Sequence, residues 1–154
     1  HELSGGFSLK ADAIHTWPAA LEEAYASLKT VIVAPDKQHD GILTLSEVSD
    51  ALYDSLRLIA PFGVGNQKPV FRFTHIMVER VLRFGAGKEH ARIAISDESG
   101  NSIDAVCFFA SRTPFHQTLE LLTSGDRVTL DASVERSYFG NKNELRLRVE
   151  NLSI

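Results

Sequence analysis

The sequence is short of several things, and each shortage excludes something. Its one cysteine, Cys107, rules out a disulfide within the chain. In the apolar setting Asp104-Ala-Val-Cys-Phe-Phe109 it reads as a buried structural thiol rather than a nucleophile. No apolar run approaches the roughly 18 residues that span a bilayer, and no charged-then-apolar segment opens the chain, so the expectation is a cytoplasmic protein without membrane contact. The six histidines, His1, His15, His39, His75, His90 and His116, lack the close pairing of a zinc or iron site, so no metal is expected. There is no positive excess either. The formal charge is −4, which argues against binding nucleic acid by bulk charge alone.

What is present suits a folded, water-soluble chain. Hydrophobic residues make up 44% and charged residues 23%, and 154 residues suffice for one domain with an appendage. Charge is distributed unevenly. Residues 1–69 carry five Lys/Arg against nine Asp/Glu, whereas residues 70–154 carry eleven of each, so any basic surface must be local to the second half.

Apolar residues Ile14, Trp17, Leu21, Ala24, Tyr25 and Leu28 recur at helical steps from Ala11 to Thr30, predicting a helix with one buried face. Pro18 leaves two versions open: a helix starting near an N-cap at Thr16, or an earlier one kinked at the proline. The alternation before Leu9 suggests one strand; Val31–Val33 and Gly41–Leu45 suggest strands or extended connectors. Thr44 followed by Glu47 fits a capping box, with Ser46 a rival cap, for a helix running to Ile59 with Val48, Leu52, Leu56 and Ile59 as its apolar stripe.

The segment from Ala60 to Phe71 then stops any helix. Pro61 and Pro69 fix their own φ and push the preceding residue out of the helical region. Between them Gly63, Gly65 and Asn66 supply residues that turn at least cost, with Phe62 beside them, and the whole reads as a structural joint. After it the period becomes alternating. Strands are predicted over Val70–Phe84, His90–Ile95, Ser102–Phe109, Arg127–Arg136 and around Leu145–Val149, with a short helix over 112–123 carrying Phe115, Leu119 and Leu122. Three strands, a helix and two strands is the order of an OB-fold, a five-stranded Greek-key barrel. The fold class expected is therefore mainly β with an α+β N-terminal part.

These residues resemble a known family. Leu58-Ile-Ala-Pro-Phe-Gly-Val-Gly-Asn-Gln-Lys-Pro-Val-Phe71 is similar to the Leu-x-Pro-Phe-Gly-x-Gly-Asn-Pro-x-Pro-Val-Phe signature of the RecJ family, single-stranded-DNA-specific exonucleases of the DHH phosphoesterase superfamily, with Gln67 where a proline is usual. Glu89-His90 with Arg92, Ile103-Asp-Ala105 and Phe108 resemble its second and third barrel strands. Tyr138-Phe-Gly-Asn141 with Leu145-Arg-Leu-Arg-Val-Glu150 resembles its last hairpin, Arg146 standing where glutamine is common. His1-Glu-Leu-Ser-Gly-Gly-Phe7 resembles the tail of the DHHA1 domain.

The resemblance implies a truncated α/β DHHA1 remnant over 1–37, a helical connector over 38–69 and the OB-fold over 70–154. It implies a parent enzyme that degrades single-stranded DNA from the 5′ end with Mg²⁺ or Mn²⁺ in DNA repair and recombination. Its metal-binding aspartates and Asp-His-His motif lie upstream of the matched region, so no catalytic residue and no cofactor are expected here. His1 maps onto a histidine that contacts substrate phosphate in the intact enzyme, and is expected to be idle in this chain.

Single strands are held by a cationic track for phosphates and aromatic faces for bases. Candidates lie where an OB-fold presents them: Arg83 and Lys88 beside the first loop, His90 and Arg92 on the second strand, Tyr138, Phe139, Asn141 and Lys142 in the last loop, Arg146 and Arg148 on the fifth strand. A solvated strand face explains each arginine singly; the cluster points to single-stranded DNA. The same surface would suit the acidic tail of a single-stranded-DNA-binding protein, and the barrel could instead serve as a structural clamp. An exposed sheet edge in the truncated N-terminal piece would offer pairing to a second copy, making a dimer a further expectation.

Overall fold

The computed structural model describes residues 8–27, 39–141 and 143–154, and the chain divides into two compact units, His1–Lys37 and Gln38–Ile154. In the first unit a 3-10 turn, Ala11–Ala13, precedes helix α1, Trp17–Ser27. The helix begins one residue after Thr16, with Pro18 in its tolerated first turn. The Thr16 hydroxyl donates to the Ala13 carbonyl at 3.1 Å. The expectation of one buried face needs correction, because Ile14 and Leu21 are exposed; no other described element of that unit is long enough to cover them. Residues 8–10 form no strand, and Val31–Val33 lies outside the described residues.

The second unit opens with strand β1, Gly41–Ile42. The capping box forms as Thr44 and Glu47 predict, the Glu47 carboxylate accepting from the Thr44 N–H (2.7 Å) and hydroxyl (2.8 Å), which holds the carboxyl below its ordinary range. It closes only a 3-10 turn, Leu45–Glu47, because Val48 is extended; helix α2, Asp50–Leu58, starts afresh with the Ser49 hydroxyl accepting from Leu52 N–H. Val48, Leu52, Tyr53 and Leu56 pack on the core, but Ile59 lies past the helix end and is exposed.

The joint is built around Asn66. Its side-chain amide donates to the carbonyls of Ile59 (2.8 Å) and Pro61 (2.9 Å), and Gly63 and Asn66 exchange backbone hydrogen bonds about Gly65, whose φ of +85° is open to glycine without strain.

Five strands follow: β2 (Phe71–Phe84), β3 (His90–Ser96), β4 (Ser102–Cys107), β5 (Arg127–Ser137) and β6 (Glu144–Ser153), with helix α3 (His116–Leu121) between β4 and β5. Their order is β1-β2-β3-β4-β6-β5, and β2 also pairs with β5, closing β2–β6 into a barrel. β4 and β6 run parallel; the other barrel pairs are antiparallel. This is the OB-fold.

Strand β2 makes closure possible by serving two neighbours within the barrel, β5 and β3. Phe71–Met77 pairs with β5 and Met77–Phe84 with β3, the handover being bent by bulges between Phe73 and Ile76 and between Val78 and Arg80. Period-two alternation fills the interior with Ala91, Ile93 and Ile95 from β3, Val128, Leu130, Ala132 and Val134 from β5, and Leu147 and Val149 from β6. A bulge opposite Asp131 and Ala132 then shifts the inward position to Leu152. Phe115, Leu119 and Leu122 bury the α3 segment, and each large apolar side chain so enclosed contributes about 2 kcal/mol. Cys107 is buried in this core; burial pushes its thiol up, opposed by Arg83 and Arg148 nearby, so it is inert packing.

Candidate nucleic-acid interface

The outer face of β3, β4, β6 and β5 is set by register. Arg92 on β3 lies opposite Val106 on β4, which lies beside Arg148 on β6; Arg146 on β6 lies opposite Glu135 on β5, and Glu144 opposite Ser137. Directly paired residues share a face, so the alternation that fills the barrel turns this set outward. Tyr138, Phe139 and Gly140, which follow β5, line one edge of it. The result is a groove of about 710 Å³ lined chiefly by Phe84, Arg92, Phe108, Tyr138, Phe139 and Arg146, continuing into a polar recess of about 230 Å³ beside Asp104 and Glu144.

Phe108 is the centre of the groove. The guanidinium of Arg148 lies 5.0 Å and that of Arg146 5.4 Å from its ring centroid, both in the range of cation–π attraction. Phe108 also meets the His90 ring at 5.2 Å, and His90 in turn meets Phe84 at 5.1 Å and Phe109 at 4.9 Å, all edge-on. His90 Nδ1 accepts the Phe109 N–H at 3.0 Å, which places Phe109 at a φ of +50°. The Arg112 guanidinium lies over the Phe109 ring, 5.0 Å from its centroid. Tyr138 and Phe139 are 68% and 84% exposed, so their ring faces are available to stack.

Charge in the groove is partly compensated. Arg92 Nε lies 3.8 Å from Asp104. Glu135 receives Lys68 at 3.1 Å, Arg146 at 3.2 Å and Arg148 at 3.7 Å. Burial pushes the Glu135 carboxyl up, but Lys68, Arg148 and Arg146 together outweigh it and hold it below the ordinary carboxylate range.

Of the residues named from the sequence, Arg92, Tyr138, Phe139 and Arg146 line this groove, with Arg148 and His90 buttressing Phe108. Arg83 is not brought to it: its guanidinium is held by Glu120 of α3 at 2.8 Å. Lys88 sits in the β2–β3 turn at a φ of +52°. Asn141 belongs to the Phe139–Asn141 turn, while Lys142 and His1 lie outside the described residues. Among the joint residues, Phe62 and Pro69 line a separate cleft of about 400 Å³ with Tyr53, Leu56, Val134 and Arg136, where the Arg136 guanidinium stacks on Tyr53 at 4.8 Å and is held by Asp50.

Sequence reasoning missed Phe84, Lys68 and Glu135, and took Phe108 only as a family resemblance. Phe84 and His90 are adjacent only through the β2–β3 register, and Lys68 and Glu135 only through barrel closure. Among the described residues no group of three or more His, Cys, Asp or Glu side chains is placed to hold a metal ion, so they do not fit a divalent-metal centre.

Comparison with known proteins gives a consistent answer. At 22% identity over 155 aligned residues the chain is similar to the single-stranded-DNA-specific exonuclease RecJ of Bacillus subtilis (strain 168), covering all of this chain but 19% of that protein. Its fold is similar to RecJ of Thermus thermophilus, solved in complex with Mn²⁺, at a TM-score of 0.56 and 16% identity over 99% of this chain and 22% of the other. The chain thus spans about a fifth of each. The family model described as RecJ OB domain matches residues 39–151, and with most of its length so matched, this chain belongs to the RecJ OB domain family.

Proposed function

We propose that this segment is the strand-guiding module of a RecJ-like nuclease, and that single-stranded DNA lies in the groove over β3, β4 and β6. The observation that carries this is Phe108 flanked by Arg146 and Arg148, with the open rings of Tyr138 and Phe139 across the same groove. Stacking is indifferent to base identity because every base has a π-face, and the guanidinium groups meet the phosphates that alternate with the bases. A duplex conceals its base faces, so rings exposed in this way favour the single strand. Asp104 and Glu144 close one end of the groove to phosphate.

The module holds a strand and breaks no bond. Hydrolysis from the 5′ end, with Mg²⁺ or Mn²⁺, in DNA repair and recombination in the cytoplasm, is the work of the whole nuclease and is proposed from the family resemblance. Fluorescence anisotropy of labelled single- and double-stranded oligonucleotides at two salt concentrations tests the reading. Salt-sensitive binding that prefers the single strand is expected; equal binding to duplex, or none from a folded sample, would overturn it and leave the barrel as a docking or clamping element.

A further inference from the structure

Arg146 lines the groove and Arg148 lies beside it against Phe108. Both guanidinium groups converge on Glu135, and so does Lys68, which comes from the joint and lines the neighbouring cleft rather than the groove. Three cations therefore share one carboxylate. Glu150, two residues beyond Arg148, is a further carboxylate on that strand; counted against them too, it still leaves one positive charge in excess.

Glu135 and Arg146 are mostly withdrawn from solvent, Lys68 is half-buried and Arg148 is exposed. Side-chain exposures are 18% for Glu135, 23% for Arg146, 35% for Lys68 and 45% for Arg148. Like charges in such a setting repel more strongly than in open water and attract an anion from outside.

We infer that Lys68, Arg146 and Arg148 form a phosphodiester subsite at the joint end of the groove, in which Glu135 gathers the cations and limits their affinity. This rests on the proposed groove reading but extends it to a residue of the joint. The Glu135 carboxylate occupies part of the donor set that a phosphate would use, accepting from Lys68 at 3.1 Å and from Arg146 at 3.2 Å. It keeps the two arginines stacked on Phe108 while free of DNA. An incoming phosphate takes the donors turned to solvent and shares the rest.

The test uses the whole 154-residue chain with a labelled oligothymidylate, titrated across a series of salt concentrations. Lys68→Met keeps the apolar stem and removes the charge. It is expected to weaken binding about fivefold and to flatten the slope of log affinity against log salt by about 0.7, the share of one single-strand phosphate contact. Glu135→Gln keeps the shape and frees the cations, and should tighten binding and steepen the slope. Thermal melts of both variants establish that they are folded. If Lys68→Met leaves affinity and slope unchanged while Arg146→Ala weakens binding, the subsite is overturned and the groove reading survives. If Glu135→Gln weakens binding without steepening the slope, Glu135 only supports the arginines and its limiting role is overturned. Failure of the unaltered, folded chain to bind any oligonucleotide would overturn subsite and groove together.

Discussion

Arg72 and Asp131 face each other across β2 and β5 in a two-pronged ion pair, Nε to Oδ1 at 2.7 Å and a terminal guanidinium nitrogen to Oδ2 at 2.8 Å. The pair sits at the seam where the barrel closes, and Asp131 is buried there. Hydrogen bonding from Arg72 holds the carboxyl below its ordinary range against the opposing effect of burial, with Asn151 and His39 assisting.

Asp131→Asn should therefore destabilise the protein by about 2–3 kcal/mol, at or below the roughly 3–5 kcal/mol that breaking a fully buried pair costs, because Arg72 is a third exposed. Urea titration measures it. The pH dependence follows in sign: a depressed folded-state value contributes stability that is fully present above the unfolded value near 4 and is lost as pH falls through the lower folded one. Wild-type stability should fall in acid below about pH 4, and the Asn variant should show less of that fall.

Phe139→Ala and Tyr138→Ala should each weaken single-strand binding about tenfold, since stacking one base contributes about 1–3 kcal/mol. Both rings are exposed, so melting temperature should hardly change. Anisotropy and a melt on the same sample separate the two effects.

Arg92→Ala together with Arg146→Ala should weaken binding and reduce the salt slope by about 1.4, two phosphate contacts' worth. Arg83→Ala is the control. Held by Glu120 outside the groove, it should leave the slope unchanged.

Asn66→Ala should cost about 1–2 kcal/mol, because two carbonyls of the joint lose their donor. Denaturant unfolding measures the loss.

Much of the barrel is legible in the sequence because its interior alternates with period two: Ala91, Ile93 and Ile95, or Val128 to Val134, announce themselves without a structure. The break of that period at Leu152 is not legible, since it comes from a bulge opposite β5. Helix α2 shows the limit of local signals. Thr44 and Glu47 form the box their spacing predicts, yet Val48 turns extended and Ser49 has to start the helix again. The groove was half visible. Arg92, Tyr138, Phe139 and Arg146 follow from strand order alone, whereas Arg83 goes to Glu120 because a helix far along the chain supplies that carboxylate.

The double duty of β2 bears on how the barrel is assembled over time. Its second half meets β3 through a short turn, whereas its first half must wait for β5, with Arg72 and Asp131 lying 59 positions apart. Closing so long a loop is entropically slow, and distant strand pairings govern the folding rates of small barrels. The β2–β3–β4 meander therefore carries the small loop-closure costs of the barrel, and the β2–β5 seam carries one of the large ones.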